Sequence, residues 1–275
     1  MKAKKDIVSV ALRFAAWLAA IVMVASLVGI VVYILVKGIP HISLSLFEWN
    51  YTTDNVSLMP ALINTLSMTV LALLFAVPLG IGAAIYLTEY ASRGNMLVKV
   101  VRVTAETLSG IPSIVYGLFG SLFFVKALHM GLSMISGALT LVIMILPLIM
   151  RTTEEALVAV PDSYREGSFG LGAGRLRTVM RVVLPSAVPG ILSGVILGIG
   201  RIVGESAALI FTAGTVAEVA DSIFDSSRTL AVHMYAISGE GLYIDKTYAT
   251  AVVLLVLVIV INALSSFAAK KLERR

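Results

Sequence analysis

Long apolar runs alternate with short polar segments along the whole chain. Six of these runs are near the length of about 20 residues that a helix needs to cross the hydrocarbon core of a bilayer. Their bounds are Phe14–Val36, Ala61–Thr88, Thr107–Val125, Leu132–Met150, Ser186–Ala213 and Thr247–Ala269. Because no cleavage site of small residues follows the first run, we expect a retained helix rather than a signal peptide. The pattern predicts an all-α, polytopic membrane protein with six transmembrane helices.

The composition agrees with a membrane protein and argues against several other classes. Hydrophobic residues make up 59% of the chain and charged residues 13%, with a mean hydropathy of +0.98, whereas a soluble domain carries about 25% charge. Cysteine is absent and the three histidines lie far apart in sequence, so we expect neither disulfides nor a metal site. No nucleophile–base constellation or pair of catalytic carboxylates is evident, so we expect no catalytic residue. We expect a single transmembrane domain over residues 1–275.

Lysine and arginine are distributed unevenly between the polar segments. Sixteen of the 21 lie before the first run, after the sixth, or in the connections from the second to the third and from the fourth to the fifth run. Arg201 lies inside a run. The other three connections hold four, which are Lys37, Lys126, Arg228 and Lys246. Because basic segments stay in the cytoplasm, we predict that both termini and residues 151–185 are cytoplasmic. The basic residues therefore serve orientation beside membrane lipid, and we expect no nucleic-acid partner.

The longest basic segment, residues 151–185, has a local pattern of its own. Asp162 or Ser163 is suited to cap a short helix that ends near Leu171 in a glycine-rich turn. A second helix through Arg175–Val183 then leads back to the membrane. A short helix that lies along the membrane surface can seat in a groove of a partner protein. We therefore interpret the segment as a docking element rather than as a plain connection.

A series of residues in this segment resembles the cytoplasmic signature of ABC-importer permeases, which reads Glu-Ala-Ala, a glycine and a terminal Leu-Pro. The matching residues are Glu166, Gly167, Ser168, Gly172, Leu184 and Pro185. Glycine and serine replace the two alanines, which lowers the helix propensity of the site. The resemblance implies a type I ABC importer permease fold. It also implies that residues 151–185 form a coupling loop, with Asp162 at the start of a helix that sits in a cleft of an ATPase.

The chain contains no Walker A motif, and indeed no Gly-Lys dipeptide. A protein without this phosphate-binding loop does not hydrolyse ATP by the P-loop route. We therefore expect a transporter subunit that is not itself an enzyme and binds no cofactor. ATP and Mg²⁺ would be used by a separate partner ATPase.

Two charged residues, Arg201 and Glu205, fall inside the fifth apolar run. A charge at the bilayer centre costs about 2.5–3.5 kcal/mol on the insertion scale, so such residues are paired or face a polar cavity. Four residues apart on one helix, the two side chains would share a face. One interpretation is an intrahelical ion pair. The other is a substrate pathway in which the guanidinium fork of Arg201 binds an oxyanion and Glu205 holds Arg201 when substrate is absent.

Two further stretches resemble motifs of phosphate-specific permeases. Residues 110–119 read GIPSIVYGLF, and residues 201–207 read RIVGESA, which is similar to an Arg-x-x-Gly-Glu-Thr-Ala motif. The continuation through residues 211–214 is closer to the PstA-type subunit than to the PstC-type, although Ala208 replaces a frequent proline. The resemblance covers nearly the whole chain. It implies phosphate import across a bacterial or archaeal cytoplasmic membrane, with a PstC-type permease, a PstB-type ATPase dimer and an external PstS-type phosphate-binding protein as partners.

Two alternatives to phosphate import follow from the same residues. A permease for another oxyanion, such as molybdate, sulfate or phosphonate, would share the docking segment and the arginine. A secondary transporter would need no ATPase, but such proteins often carry inverted repeats or paired interrupted helices. No internal repeat is visible in this chain.

Several small or polar residues leave their role open at this stage. Asn64, Thr65 and Ser67 either bind helices together or face the pathway. Residues 111–113, which read Ile-Pro-Ser, and the glycines Gly117 and Gly120 either break or thin a helix where backbones approach or a cavity opens, or only allow close helix packing. The stretch Leu230–Ile237 either dips into the bilayer or docks a partner. Finally, Glu106 is expected to lie at the start of the third helix, where a carboxylate suits the helix dipole.

Overall fold

The protein is a bundle of α-helices, seen in a computed structural model that describes residues 2–92 and 94–273. Arg93, Arg274 and Arg275, three of the basic residues counted above, lie outside the described residues. The described residues form no strand. The long helices are α1 (Lys2–Gly38), α2 (Met59–Ile85), α5 (Met134–Val158), α8 (Leu184–Val203) and α11 (Ile244–Glu273). The shorter helices are α3 (Met96–Ser109), α4 (Ser113–Gly120), α6 (Asp162–Gly170), α7 (Arg175–Thr178), α9 (Ala207–Ile210) and α10 (Leu230–Glu240).

Short tighter or wider helical segments extend several of these helices. Two 3₁₀ turns, Ile39–His41 and Leu44–Phe47, follow α1. Wider π-helical turns continue α2, continue α4 and precede α8; they comprise Tyr86–Tyr90, Ser121–Ala127 and Val179–Val183. A π turn adds a residue to the helical repeat and so changes which side chains face the core.

Within the described residues, five helices are long and apolar enough to cross a membrane, and a sixth span exists if one bent pair of helices counts as one. The pair consists of Met96–Ser109 and Ser113–Ala127, which meet at 106°. The prediction of one continuous helix over Thr107–Val125 is therefore wrong. Pro112 lacks an amide hydrogen and disfavours helical geometry in the residue before it, which separates the two helices.

The predicted fifth span, Ser186–Ala213, is also wrong in its bounds. The observed helix begins earlier than predicted, because α7, the adjacent π turn and α8 form a single helical stretch, Arg175–Val203. It ends at Gly204, after which the chain turns into the short α9. Pro185 lies inside this stretch, directly after Leu184 and the π turn Val179–Val183, and the backbone before it stays helical.

Helix α5 forms the centre of the bundle. In its most apolar window 72% of the residues are buried inside the chain, compared with 0% for α1 and 6% for α11. Its buried residues pack against α2 and α8 in one apolar cluster with Met68, Ile145, Ile149 and Ile202. Helices α1 and α11 instead pack on each other and leave most of their apolar surface facing outward, as helices surrounded by lipid do.

The stretch Leu230–Ile237 forms the first part of α10 and packs on its own chain. Thr229 caps the helix by accepting a hydrogen bond from the backbone amide of Val232, and both Leu230 and Ile237 are buried. Thr65 on α2 accepts from the amide of Leu230 at 2.8 Å. Asn64, its neighbour, holds the preceding loop, because its amide donates to the carbonyl of Glu218 and its Oδ1 accepts from Ala220. Asn64 and Thr65 therefore bind elements of the bundle together.

Candidate functional site

A cleft of about 690 Å³ lies between α3, α5 and α8, and Arg201 is part of its wall. Its wall extends along α5 from Pro147 to Val158, a distance of about 16 Å at the rise of an α-helix. The remaining lining residues are mostly polar and charged. They include Arg102, Glu106 and Ser109 from α3 and Arg151, Thr152, Glu154 and Glu155 from α5.

The arginines of the cleft differ in whether their charge is neutralised. Arg102 forms an ion pair with Glu154, and Arg151 pairs with Glu155 at 3.0 Å. Arg201 is half-buried and, among the described residues, has neither an ion-pair partner nor a hydrogen-bond acceptor. Its guanidinium is thus a half-buried cation in the cleft that is available to an anion.

The predicted pairing of Arg201 with Glu205 is not found among the described residues. The reason is that α8 ends at Gly204, so the two side chains do not share a helix face. Glu205 is buried after the helix end, and its Oε1 accepts a hydrogen bond from the backbone amide of Ala208 at 3.0 Å. The carboxylate therefore stabilises the first turn of α9 instead of holding Arg201.

Glu106 lies at a different place from the one expected. It belongs to the last turn of α3, because this helix ends at Ser109 and the chain bends there. A carboxylate at that end is disfavoured by the helix dipole, so the dipole does not account for Glu106. The side chain lines the cleft that contains Arg201.

Four charged residues of the cleft are not predicted as site residues from the sequence, namely Arg102, Arg151, Glu154 and Glu155. All four follow or precede apolar runs, and the two arginines enter the prediction only through the charge asymmetry. A usable signal was present, since Arg151 and Glu155 have the spacing of an ion pair on one helix face. Contact between α3 and α5 brings the two pairs together, and this contact has no counterpart in local sequence.

The two stretches that resemble phosphate-permease motifs meet in the structure. Gly117 of α4 lies against α9, and a Cβ atom added to Gly117 would lie 2.8 Å from Ala208 Cα. Gly120, one turn later, likewise faces Thr140 and Thr212. Both glycines therefore allow close packing of α4 against its neighbours. Among the residues described, no group of three or more histidine, aspartate or glutamate side chains could hold a metal ion.

The docking segment, residues 151–185, contains the two predicted helices. Helix α6 (Asp162–Gly170) carries Glu166 and Gly167, both exposed, and Gly172 follows with a φ of +80°, a left-handed conformation that favours glycine. The prediction of Asp162 or Ser163 as the N-cap is wrong. Pro161 occupies that position, and Asp162 is the first residue of the helix, where its Oδ1 accepts from Arg165.

Leu184 and Pro185, at the end of the segment, begin α8. Leu184 packs against a buried apolar cluster, while Pro185 is exposed. The exposed surface of α6 and the following turn also includes large apolar side chains, namely Tyr164, Phe169 and Leu171. Clustered exposed apolar residues next to polar ones are typical of a protein–protein interface.

Several spanning helices, a cleft with an unpaired cation and an exposed helix with apolar side chains are the features of a membrane-embedded transporter subunit. The sequence comparisons agree with this class. The chain belongs to the family described as the binding-protein-dependent transport system inner membrane component, whose model matches residues 76–275. It is therefore a multi-pass permease subunit of the cytoplasmic membrane rather than an enzyme.

Two relatives and one solved structure illustrate the similarity. The chain is 35% identical over 246 residues to the probable ABC transporter permease protein YqgI of Bacillus subtilis (strain 168), covering 83% of this chain and 82% of the relative. It is 37% identical over 205 residues to the phosphate transport system permease protein PstA of Mycobacterium leprae (strain TN), covering 74% and 67%. Its fold is similar to a chain in the crystal structure of a bacterial alginate ABC transporter in complex with an alginate pentasaccharide-bound periplasmic protein, with a TM-score of 0.71, 18% identity and coverage of 98% and 97%. The predicted type I ABC importer permease fold is confirmed.

Proposed function

We propose that this chain is the PstA-type permease subunit of an ATP-driven phosphate importer and forms half of its translocation pathway. The second half would come from a PstC-type permease. A PstB-type ATPase dimer would bind ATP and Mg²⁺, and a PstS-type protein would deliver phosphate from outside. Both termini, α6 and α7 would lie on the cytoplasmic side, as the charge asymmetry predicts.

The unpaired guanidinium of Arg201 is the observation that carries the assignment of an anion as substrate. The other two arginines that line the cleft are neutralised by Glu154 and Glu155. The third carboxylate of the cleft, Glu106, acts on Arg151 and forms no described ion pair with Arg201, so an incoming anion would meet an unpaired guanidinium at Arg201. A guanidinium donates to two oxygens of a tetrahedral oxyanion at once. Because Arg201 is half-buried, this attraction is screened less by water than it would be at a fully exposed arginine.

The identity of the oxyanion rests on the relatives. A relative that covers about three quarters of this chain is named as a phosphate transport system permease. The motifs around Gly117 and Arg201 resemble those of phosphate-specific permeases, and the structure brings them into contact through α4 and α9. The geometry of a guanidinium fork does not by itself distinguish phosphate from molybdate, sulfate or phosphonate.

The role proposed for Glu205 is indirect. Its carboxylate caps α9, which packs on α4 beside the motif that contains Gly117. Glu205 would therefore shape the pathway next to Arg201 without contacting it. Substitution of Glu205 by glutamine keeps an oxygen acceptor for the amide of Ala208, so we expect Glu205→Gln to retain more uptake than Glu205→Ala.

For docking, α6 is the helix that would enter a cleft of the ATPase. Glu166, Gly167, Tyr164 and Phe169 are exposed on it, and Gly172 would turn the chain away after the docked helix. Leu184 and Pro185 would return the chain to the membrane. The open space around Gly167 agrees with a position where a partner approaches closely, because no heavy atom lies within 4 Å of an added Cβ.

Reconstituted transport tests the substrate assignment. The complete importer in proteoliposomes is expected to take up labelled phosphate only with ATP inside. Arg201→Gln should abolish uptake while the ATPase still co-purifies. Lys99→Gln, which removes an exposed cation of α3 that does not line the cleft, is the matched control and should transport normally. Normal uptake by Arg201→Gln would refute the pathway, and uptake of molybdate or sulfate unaffected by excess phosphate would refute the substrate.

The requirement for an ATPase is tested separately by affinity purification of the chain from its native membrane. We expect the purified complex to contain a second permease and a subunit with a Walker A motif. Phosphate uptake that persists after ATP depletion, by a complex without such a subunit, would instead support a secondary transporter.

A further inference from the structure

Arg165 of α6 forms a buried ion pair with a residue 76 positions away in sequence. Its partner is Glu89, in the π turn that ends α2, and the Arg165 Nη2 to Glu89 Oε1 distance is 2.7 Å. A second donor, Nε, contacts the same carboxylate at 3.2 Å. The side chain of Arg165 is 15% exposed and that of Glu89 is 8% exposed. Both donors converge on Oε1, and Nε also lies 3.5 Å from Oε2, so the contact restrains the orientation of the carboxylate as well as its separation from the guanidinium.

The remaining donors of Arg165 bind the end of α5. Its Nη2 donates to the carbonyl of Leu157 at 2.9 Å, and its Nη1 donates to the carbonyl of Val160 at 2.8 Å. Leu157 belongs to the last turn of α5 and Val160 lies two residues beyond its end, so these bonds attach Arg165 to the C-terminal end of the helix. Nη1 also contacts Asp162 of α6 at 3.3 Å. One guanidinium therefore joins α6 to both α2 and α5.

Apolar residues surround this junction. Leu87, Leu157, Val160 and Val183 belong to one buried cluster, which packs between the ends of α2, α5 and α8. Because both side chains are largely buried, the charge pair interacts more strongly than a pair on the surface does. Removal of Arg165 would leave the charge of Glu89 uncompensated in a largely apolar environment, whereas removal of Glu89 would leave Arg165 with only its contact to the exposed Asp162.

The other side-chain contacts near α6 connect different pairs of elements. Ser168 on α6 bonds to Thr178 on α7 at 2.8 Å, and α7 continues into α8. The contact of Arg175 with the ring of Tyr90, at 5.4 Å, also reaches the end of α2, but it starts from α7. Among the described hydrogen bonds and ion pairs, the link from α6 to α2 is therefore the pair of Arg165 with Glu89.

We infer that Arg165 and Glu89 are positioning residues that transmit movement of the docked helix α6 to α2 and α5. This inference rests on the proposed function, in which α6 docks on the ATPase. When the ATPase moves α6, α8 follows through the continuous chain. The pair would make α2 follow together with α5, so that the walls of the pathway move as one body. Without the pair, movement of α6 would reach α2 only indirectly, through the chain connection to α5 and the packing of α5 on α2.

The test compares phosphate uptake with ATP hydrolysis in the same proteoliposomes containing the complete importer. Glu89→Gln keeps an acceptor oxygen but removes the charge, and Arg165→Lys keeps the charge but removes the fork. We expect each variant to retain ATP hydrolysis and to lower the ratio of phosphate taken up to ATP hydrolysed by about fivefold or more, the lower end of ordinary coupling between sites. Glu240→Gln, at the exposed end of α10, removes a carboxylate elsewhere and should leave the ratio unchanged.

A covalent link provides an independent arm. The chain has no cysteine, so Glu89→Cys with Arg165→Cys introduces a defined pair for a short bifunctional thiol reagent. Cross-linking should restore the ratio in the double variant and should not do so in either single variant. If Glu89→Gln fails to assemble, Arg165→Lys and the cross-linked double variant give the same test.

The outcomes separate this inference from the proposed function. A wild-type complex that hydrolyses ATP but imports no phosphate contradicts the proposed function. If the wild type imports phosphate, and the variants lose uptake and ATP hydrolysis in equal proportion, the pair serves stability alone and the inference is overturned. An unchanged ratio in Glu89→Gln overturns it as well.

Discussion

Acidification should destabilise the folded chain through His233, on α10. This side chain is fully buried, and neither ring nitrogen has a hydrogen-bond partner among the described residues. Burial, together with the nearby charge of Arg228, lowers the pKa of His233 from 6.5 to about 3. The folded protein thus keeps the imidazole neutral at pH values where the unfolded chain has already bound a proton. The stability linked to His233 is complete above pH 6.5 and is lost as the pH falls toward 3.

The size of the effect follows from the width of that pH range. Each pH unit between the two pKa values costs about 1.4 kcal/mol of unfolding free energy. Between pH 7 and pH 5, the unfolded chain binds the proton mainly below its pKa of 6.5, which leaves a range of about 1.5 pH units that contributes. The expected loss is therefore about 2 kcal/mol, before any contribution from carboxylates, most of which titrate at lower pH.

The measurement is the unfolding of purified protein in detergent at pH 7, 6 and 5. The wild type should lose about 2 kcal/mol more than His233→Leu, whose side chain does not titrate. His129→Asn is the control, because His129 is exposed and its left-handed backbone, with a φ of 55°, suits asparagine. Equal pH dependence in the wild type and His233→Leu would refute the reasoning.

Two further predictions concern glycines. Gly117→Ala should lower the free energy of unfolding by about 1–3 kcal/mol, because the new methyl group meets the backbone of Ala208. Gly82→Ala is the control and should be neutral or stabilising, because Gly82 lies in open space on α2. The two variants are compared by their unfolding temperatures in one detergent, and equal effects would contradict the packing argument. Gly167→Ala should stabilise α6 by up to about 1 kcal/mol, since its Cβ meets nothing within 4 Å, and a lower unfolding temperature would contradict this.

The number of spans and the docking segment were accessible from the sequence, because both depend on local patterns. The first and sixth runs lie within α1 and α11, and two helices form in residues 151–185 as predicted, although Pro161 and not Asp162 or Ser163 is the N-cap of the first. The residue types allowed a break at Pro112 as one of two interpretations. Hydropathy averages over a window, however, and so did not show that the break bends the third span by 106° or that α8 ends at Val203.

The candidate site was only partly accessible, because its geometry depends on contacts between distant elements. The pairing of Arg201 with Glu205 assumed a continuous helix, and the break at Gly204 removed it. The two neutralised arginines, Arg102 and Arg151, line one cleft only because α3 packs on α5, a contact that the sequence does not show. Arg165 carried no signal beyond its charge, since Glu89 lies far away in sequence.

The continuity of the helical stretch Arg175–Val203 has a mechanical consequence. With 29 residues it is about 43 Å long, and about 39 Å separate Arg175 from Arg201. If the stretch pivots near its first turn, a tilt of about 5° moves Arg201 sideways by about 3 Å over that length. Such a shift equals the length of one hydrogen bond. A rotation too small to disturb the packing at the pivot is therefore large enough to make or break the contact between an anion and the guanidinium.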